Sequence, residues 1–356
     1  MAMGKRKQQR QSELWIAATQ VAEAPGHPFY SKLNKLLAER GFDAFAQELC
    51  ARFYHDSLGR PGIPPGVYFR MLLIGYFEGI DSERGIAWRC ADSLALREFL
   101  GYTLTESTPD HSSLSVIRNR IDLETHREVF TWVLKALADG KLLRGRTIGI
   151  DATTLEANAA MRSIVRNDTG ESYEQFLTKL AQASGIKTPT REDLARIDKK
   201  RKKKASNDDW HNPHDPDAKI TKMKDGRTHL AHKAEHAVDL DTGAIVSVTV
   251  RPASEGDTTT IATTLEESVE TLLDVQEQGG DVSLPREVVT DKGYHSNEVC
   301  VELGELGLRS YVSEPGRGRR VWTDKTTGTV KAAERDAVHA NRRRVRGKRG
   351  KALMRK

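Results

Sequence analysis

Two aspartates at the ends of short apolar runs are the residues in this chain best placed to do chemistry. Arg146-Thr147-Ile148-Gly149-Ile150-Asp151-Ala152-Thr153-Thr154 follows a basic turn and reads as a buried strand ending at Asp151. Glu287-Val288-Val289-Thr290-Asp291-Lys292-Gly293-Tyr294-His295-Ser296 has the same grammar, with Pro285 before it and Gly293 after the acid. One Asp at a strand end is as readily a turn cap as a reactive group. Two such strands in one sheet would bring two carboxylates to one edge, where the anions repel each other. A divalent cation relieves that repulsion, and Mg²⁺ or Mn²⁺ takes hard oxygen ligands of this kind.

Other candidate ligands converge less well. His229, His232 and His236 suggest zinc, but on a strand His229 faces opposite to the other two, and metal ligands must converge. Cys50, Cys90 and Cys300 are far apart and form no CxxC pair. Neither a disulfide framework nor a zinc finger is indicated, and a reducing cytoplasm fits. The basic stretch at residues 1–11 leads into no apolar run, so it is no secretory signal. No run of apolar residues is long enough to span a membrane.

At 356 residues the chain has room for two domains. Its net charge of +6 is unevenly spread. Residues 317–356 hold fifteen Lys and Arg against three Asp and Glu, which leaves the remainder net acidic. Within this tail, Arg342, Arg343, Arg344, Arg346, Lys348 and Arg349 could neutralise several phosphates; the alternative is a solvated, disordered tail.

The elements that must position the two acids fall in two regions. Up to residue 145 the apolar spacing is helical: two helices over Phe29 to Phe53 around Gly41, a buried one over Val67 to Phe77, short ones over Ser82 to Cys90 and Ser93 to Leu100. Another opens at Thr108-Pro109 and runs through Arg120, and a last one covers Leu123 to Leu137. Arg84, Arg89, Arg97, Arg118 and Arg120 among these helices raise a helix-turn-helix reading beside that of a packing or dimerisation domain. Residues 158–227 read as a charged insertion, mostly helical, with helices over Ser163 to Ala183 and Thr188 to Asp198 and least order over Lys199 to Asp217. Thr228 to Arg251 reads as a β-hairpin turning at Gly243. A helix over Thr258 to Gln276, the Asp291 strand, a helix over Asn297 to Leu306 and a strand over Arg309 to Ser313 complete the order.

Apart from the insertion, that order resembles the RNase H-like fold of retroviral integrases and DDE transposases. The residues themselves carry the likeness. GIDATTLEANAA, DPDAKITKMKDGRTHLAHKAEHAVDLDTGAIVSVTV and VVTDKGYHS resemble the catalytic domain of DDE transposases of bacterial insertion sequences, the group with a Tyr-Arg-Glu-Lys signature. PPGVYFRMLLIGYFEGIDSERGIAWRCADSLALREFLG, followed by TPDHSSLSVIRNR, resembles their helical N-terminal domain. The resemblance covers about residues 32–349. It implies an α/β, RNase H-like mixed sheet with flanking helices at residues 146–356, preceded by an all-helical domain at 1–145.

It further implies cleavage and strand transfer of double-stranded DNA, at the terminal repeats of an insertion sequence and at target DNA, by two-metal phosphoryl transfer. Asp151 matches the first acid and Asp291 the second, with Gly293 and Tyr294 in the family's D-x-G-Y pattern as turn and packing residues. Two Mg²⁺ (or Mn²⁺) ions, a homo-oligomer on DNA and a nucleoid-associated location in the bacterial cytoplasm are implied as well. The third acid of the family is a Glu on a later helix, in a Tyr-x2-Arg-x3-Glu-x6-Lys pattern that does not occur here. The expectation is therefore a chain truncated at its C-terminus that binds DNA in a salt-sensitive way but cleaves it very little by itself, with Glu334 the weak remaining candidate for third acid. Two alternatives stand beside it. One is a DNA-binding transposase remnant without catalysis. The other is an actin-like or sugar-kinase ATPase, which GIDATT brings to mind but which lacks a Gly at Ala152 and a later Gly-rich motif.

Overall fold

The structure, a computed structural model, describes residues 28–55, 62–201, 205–223, 225–316, 318, 320–323 and 329–355. The chain divides into two compact units, Met1–Val129 and Phe130–Lys356.

The first unit is helical: α1 (Pro28–Glu39), α2 (Phe42–Cys50), α3 (Pro65–Glu78), α4 (Glu83–Asp92), α5 (Leu94–Phe99), α6 (His111–Arg120) and the start of α7 (Leu123–Asp139). Side chains that satisfy orphan amides open α4, α5 and α6. Ser82 accepts from Gly85 N, Ser93 from Leu96 N and Asp110 from Ser113 N. The cap of α6 is thus Asp110 and not Thr108. Arg70 is buried on α3, where it pairs with Asp43 at 3.0 Å and lies over the Phe42 and Phe99 rings. Most of the arginines read as a helix-turn-helix signal are engaged within the unit. Arg89 binds Glu78, Arg118 binds Glu83, Arg97 donates to the carbonyls of Thr103 and Glu106, and Arg120 lies over Tyr54.

The division into units falls inside α7 rather than after residue 145, because Leu134 and Ala138 of that helix belong to the core of the second unit. That unit is built on β1 (Thr147–Glu156), β4 (Lys219–Lys222), β5 (Thr228–Asp239), β6 (Ile245–Pro252), β7 (Glu287–Thr290) and β8 (Arg309–Val312). The sheet order is β4-β5-β1-β7-β8, with β6 also paired to β5. β1, β7 and β8 are parallel, whereas β5 runs antiparallel to β1, β4 and β6. Helices α10 (Asp257–Glu277), α11 (Asn297–Glu305), α12 (Ala332–Arg346) and α13 (Lys348–Leu353) flank it.

Side chains alternate across a strand, so each strand feeds two cores. Ile148, Ile150 and Val288 pack with Ile261, Leu265 and Leu272 of α10 and with Val299 and Leu303 of α11. On the other face Val289 and Tyr311 pack with Leu353 of α13 and Val345 of α12. This is the mixed α/β architecture expected of an RNase H-like domain, after a helical N-terminal region.

Several expectations require correction. β1 does not end at Asp151: its pairing with β7 stops at Ile150, but its pairing with β5 continues through Glu156. The insertion holds more than helices. Residues 163–172 contain β2 (Val165–Arg166) and a turn at Gly170, and α8 (Tyr173–Ala183) begins only at the Ser172–Gln175 capping box. α9 (Arg191–Lys200) starts at the Thr190 cap, as its sequence indicates. Trp210, on β3 (Trp210–His211), is buried with Ile164, Ala218 and Leu230. Within residues 205–217, Trp210 and Asn212 are therefore packed, whereas Asp208, Pro213, His214, Pro216 and Asp217 are exposed; residues 202–204 lie outside the described residues. β4, counted with the insertion, pairs into the main sheet. The tail is likewise no solvated coil in its described part, because residues 332–353 form α12 and α13 against the sheet.

Candidate active site

β1 and β7 lie side by side and in register, from Thr147 opposite Glu287 to Ile150 opposite Thr290. Asp151 and Asp291 are the next residue on each, at strands about 4.8 Å apart. Ile150 faces the α10 core, so alternation turns Asp151 to the opposite face, where it is exposed. Asp291 leaves β7 in an extended conformation and is exposed too. Its Oδ1 accepts from Gly293 N at 2.8 Å and so caps the short 3-10 turn Lys292–Tyr294. Asp151 Oδ1 accepts from Ala152 N at 2.9 Å. On the other side of β1, His236 of β5 is the register partner of Asp151.

A third acid reaches the same turn. A Cβ placed on Gly293 would lie 2.4 Å from Asp257 Oδ2 and 3.0 Å from Asp291 Oδ1. Only a residue without a side chain lets these two carboxylates approach one point. Beneath them Tyr294 is buried and donates to Glu235 Oε1 at 3.1 Å. Burial first, then the negative charges of Glu235, Asp257 and Asp151, push the Tyr294 hydroxyl well above its ordinary range. Burial acts to raise Glu235, but hydrogen bonds from Lys233, Thr260 and Thr264 outweigh it and hold the carboxyl below its usual value. Sequence reasoning missed Lys233, Glu235 and Asp257 as neighbours of the site. No local signal marks them, because both alternating rows of β5 mix alanine with polar residues.

Exposed carboxylates are hard oxygen donors of the kind a divalent cation takes, and His236 is the imidazole nearest Asp151 by register. Among the described residues no group of three His, Cys, Asp or Glu is arranged to hold a metal. Glu334 does not join the pair; it accepts from Asn297 Nδ2 at 2.6 Å and lies 3.3 Å from Lys331 Nζ. The histidines diverge. His229 meets Glu156 and Asp225, while His232 meets Asp215.

The basic residues of the tail divide into two groups. Arg342 forms a two-point ion pair with Glu314, Arg344 donates to Ser310, and Arg349 clasps Glu287, which also accepts from Thr147. Arg343, Arg346 and Lys348 are exposed.

The mixed sheet, with β1, β7 and β8 parallel and β5 antiparallel, and its flanking helices define an RNase H-like domain, with Asp151 and Asp291 each one residue beyond the β1–β7 pairing. Comparison with known families agrees at two places: a model described as Transposase domain (DUF772) matches residues 19–120, and one described as Transposase DDE domain matches residues 184–355. The chain belongs to the DDE-type transposases of insertion sequences. No curated protein matches it. Asp151 lies between the two matched segments, so its place beside Asp291 rests on the β1–β7 register. The family is one of DNA-cleaving enzymes that generally use divalent metal ions, and its substrate is DNA. Among the described residues no helix is long and apolar enough to cross a membrane.

Proposed function

We propose that this transposase acts in cleavage of DNA at the ends of its insertion sequence and in joining them to target DNA, with Asp151 and Asp291 holding the divalent ions and only weak cleavage from these two acids without the family's third. The observation that supports the reading is the parallel register of β1 and β7, which ends at Ile150 opposite Thr290, one residue before each acid. The reaction is phosphoryl transfer. An oxygen, first of water and then of a DNA 3′-hydroxyl, bonds to phosphorus as the bridging P–O bond breaks and its electron pair leaves with the departing oxygen. Bound Mg²⁺ or Mn²⁺ would supply charge neutralisation at the phosphate and a more nucleophilic oxygen. The chain's own part is to hold two anions together against their repulsion. Asp291 is fixed by the Gly293 amide and Asp151 by the Ala152 amide.

The test is Mn²⁺-dependent nicking of duplexes that carry the terminal repeats. Asp151→Ala and Asp291→Ala should each remove the activity while leaving duplex binding intact. Nicking that survives either substitution would dismiss the assignment. Assembly of copies on DNA belongs to the same proposal, and gel filtration with and without the duplex reads it.

A further inference from the structure

Beneath the carboxylate pair lies a buried polar network that packing alone does not explain. Lys233 and Glu235 are neighbours on the inward row of β5 and are almost fully buried, as are Thr260 and Thr264 of α10. Lys233 Nζ lies 2.7 Å from Glu235 Oε1, 2.7 Å from Asp257 Oδ1 and 3.0 Å from Thr260 Oγ1. Thr260 and Tyr294 donate to Glu235 Oε1, and Thr264 donates to Oε2 at 2.5 Å. Every donor of the ammonium and both carboxylate oxygens of Glu235 are thus engaged. A buried ion pair is commonly no more stable than apolar residues of the same volume. Its retention here calls for a reason other than stability, and the network's two open ends supply one. Asp257 carries its second oxygen to the Gly293 turn, and Tyr294 follows Gly293 directly in the chain. Both ends close on the peptide whose amide holds Asp291.

We infer that Lys233, Glu235, Asp257 and Tyr294 are positioning residues. Lys233 fixes Asp257 against Gly293, Glu235 anchors Tyr294, and together they hold the turn that aims the Asp291 carboxylate. The inference rests on the proposed function only for what Asp291 then binds. Groups that orient a metal ligand from behind change its affinity by about 10- to 100-fold when removed.

Two readouts on the full chain test it. Titration with Mn²⁺ alone should show about tenfold weaker binding for Tyr294→Phe and Lys233→Met. Val275→Ala, a core substitution elsewhere on α10, should leave the ion affinity unchanged. Unchanged Mn²⁺ affinity in both network variants, with affinity lost in Asp291→Ala, overturns the positioning role. The second readout needs no metal. Amide exchange at Gly293 should quicken in both network variants relative to Val275→Ala, because exchange reports local opening of the turn. Equal exchange overturns the inference. If Asp151→Ala and Asp291→Ala leave Mn²⁺ binding untouched, the carboxylate-pair reading fails, and exchange at Gly293 still decides the network by itself.

Discussion

Gly293 is the residue on which the local geometry turns. The space its missing side chain leaves is shared by Asp257 and Asp291. Neither acid moves freely, because Asp257 is held by Lys233 and Asp291 by the Gly293 amide itself. Gly293→Ala should therefore destabilise the second unit by about 1–3 kcal/mol, the usual range for overpacking. Urea unfolding measures it, and an unchanged midpoint would mean that Asp257 swings away at no cost. Asp151 and Asp291 stand out in the sequence as candidates because each closes a β-branched apolar run. Lys233 and Glu235 were not. In HLAHKAEHAVD both alternating rows mix alanine with polar residues, so the period is plain but the buried row is not. The choice is made by Thr260 and Thr264, which reach Glu235 from 25 and 29 residues away.

Elements with local signals follow the sequence closely. The Thr190 capping box starts α9, the hairpin turns at Gly243 with a positive φ of 81°, and the apolar spacing gives α7 and α10. Elements made by distant contacts do not. β1 runs past Asp151 because β5 supplies a partner for residues 152–156, which no local pattern announces. Likewise the polar stretch around Trp210 is ordered by a ring cluster in which Tyr173 and Phe176 meet the indole edge to face, at centroid distances of 5.1 and 5.2 Å. Arg166 lies over the same indole. Trp210→Ala should destabilise this cluster by about 3–5 kcal/mol, as for a large buried aromatic. Limited proteolysis with mass readout should then find the first cut in the variant between residues 160 and 218. A first cut within β5 or β7 would show that the insertion does not unfold ahead of the sheet.

For the whole molecule, charge decides behaviour in acid and on DNA. Glu287 is buried; burial acts to raise its pKa, but Arg349 and Thr147 hold the carboxyl below its ordinary range. Glu235 is depressed as well. A depressed carboxylate contributes stability that is present above its unfolded value, about 4.3 for Glu, and is lost as pH falls through the lower folded value. The second unit should therefore lose stability below about pH 4.3. Arg349→Ala should lower stability at neutral pH by about 1.5–3 kcal/mol, the worth of a hydrogen bond to a charged group. A circular-dichroism titration in acid should also show its loss beginning at higher pH than in the parent. The same division of the tail predicts how DNA is held. Each neutralised phosphate adds about −0.9 to the slope of log K against log salt. Arg343, Arg346 and Lys348 are exposed on α12 and α13, whereas Arg342 and Arg349 are committed to Glu314 and Glu287. Replacing the exposed three together with Ala should reduce the magnitude of the salt slope by about 2–3, while Arg342→Ala leaves it unchanged. Filter binding across a salt series measures both. Equal slopes for the triple variant and the parent would place the DNA backbone away from this helix pair.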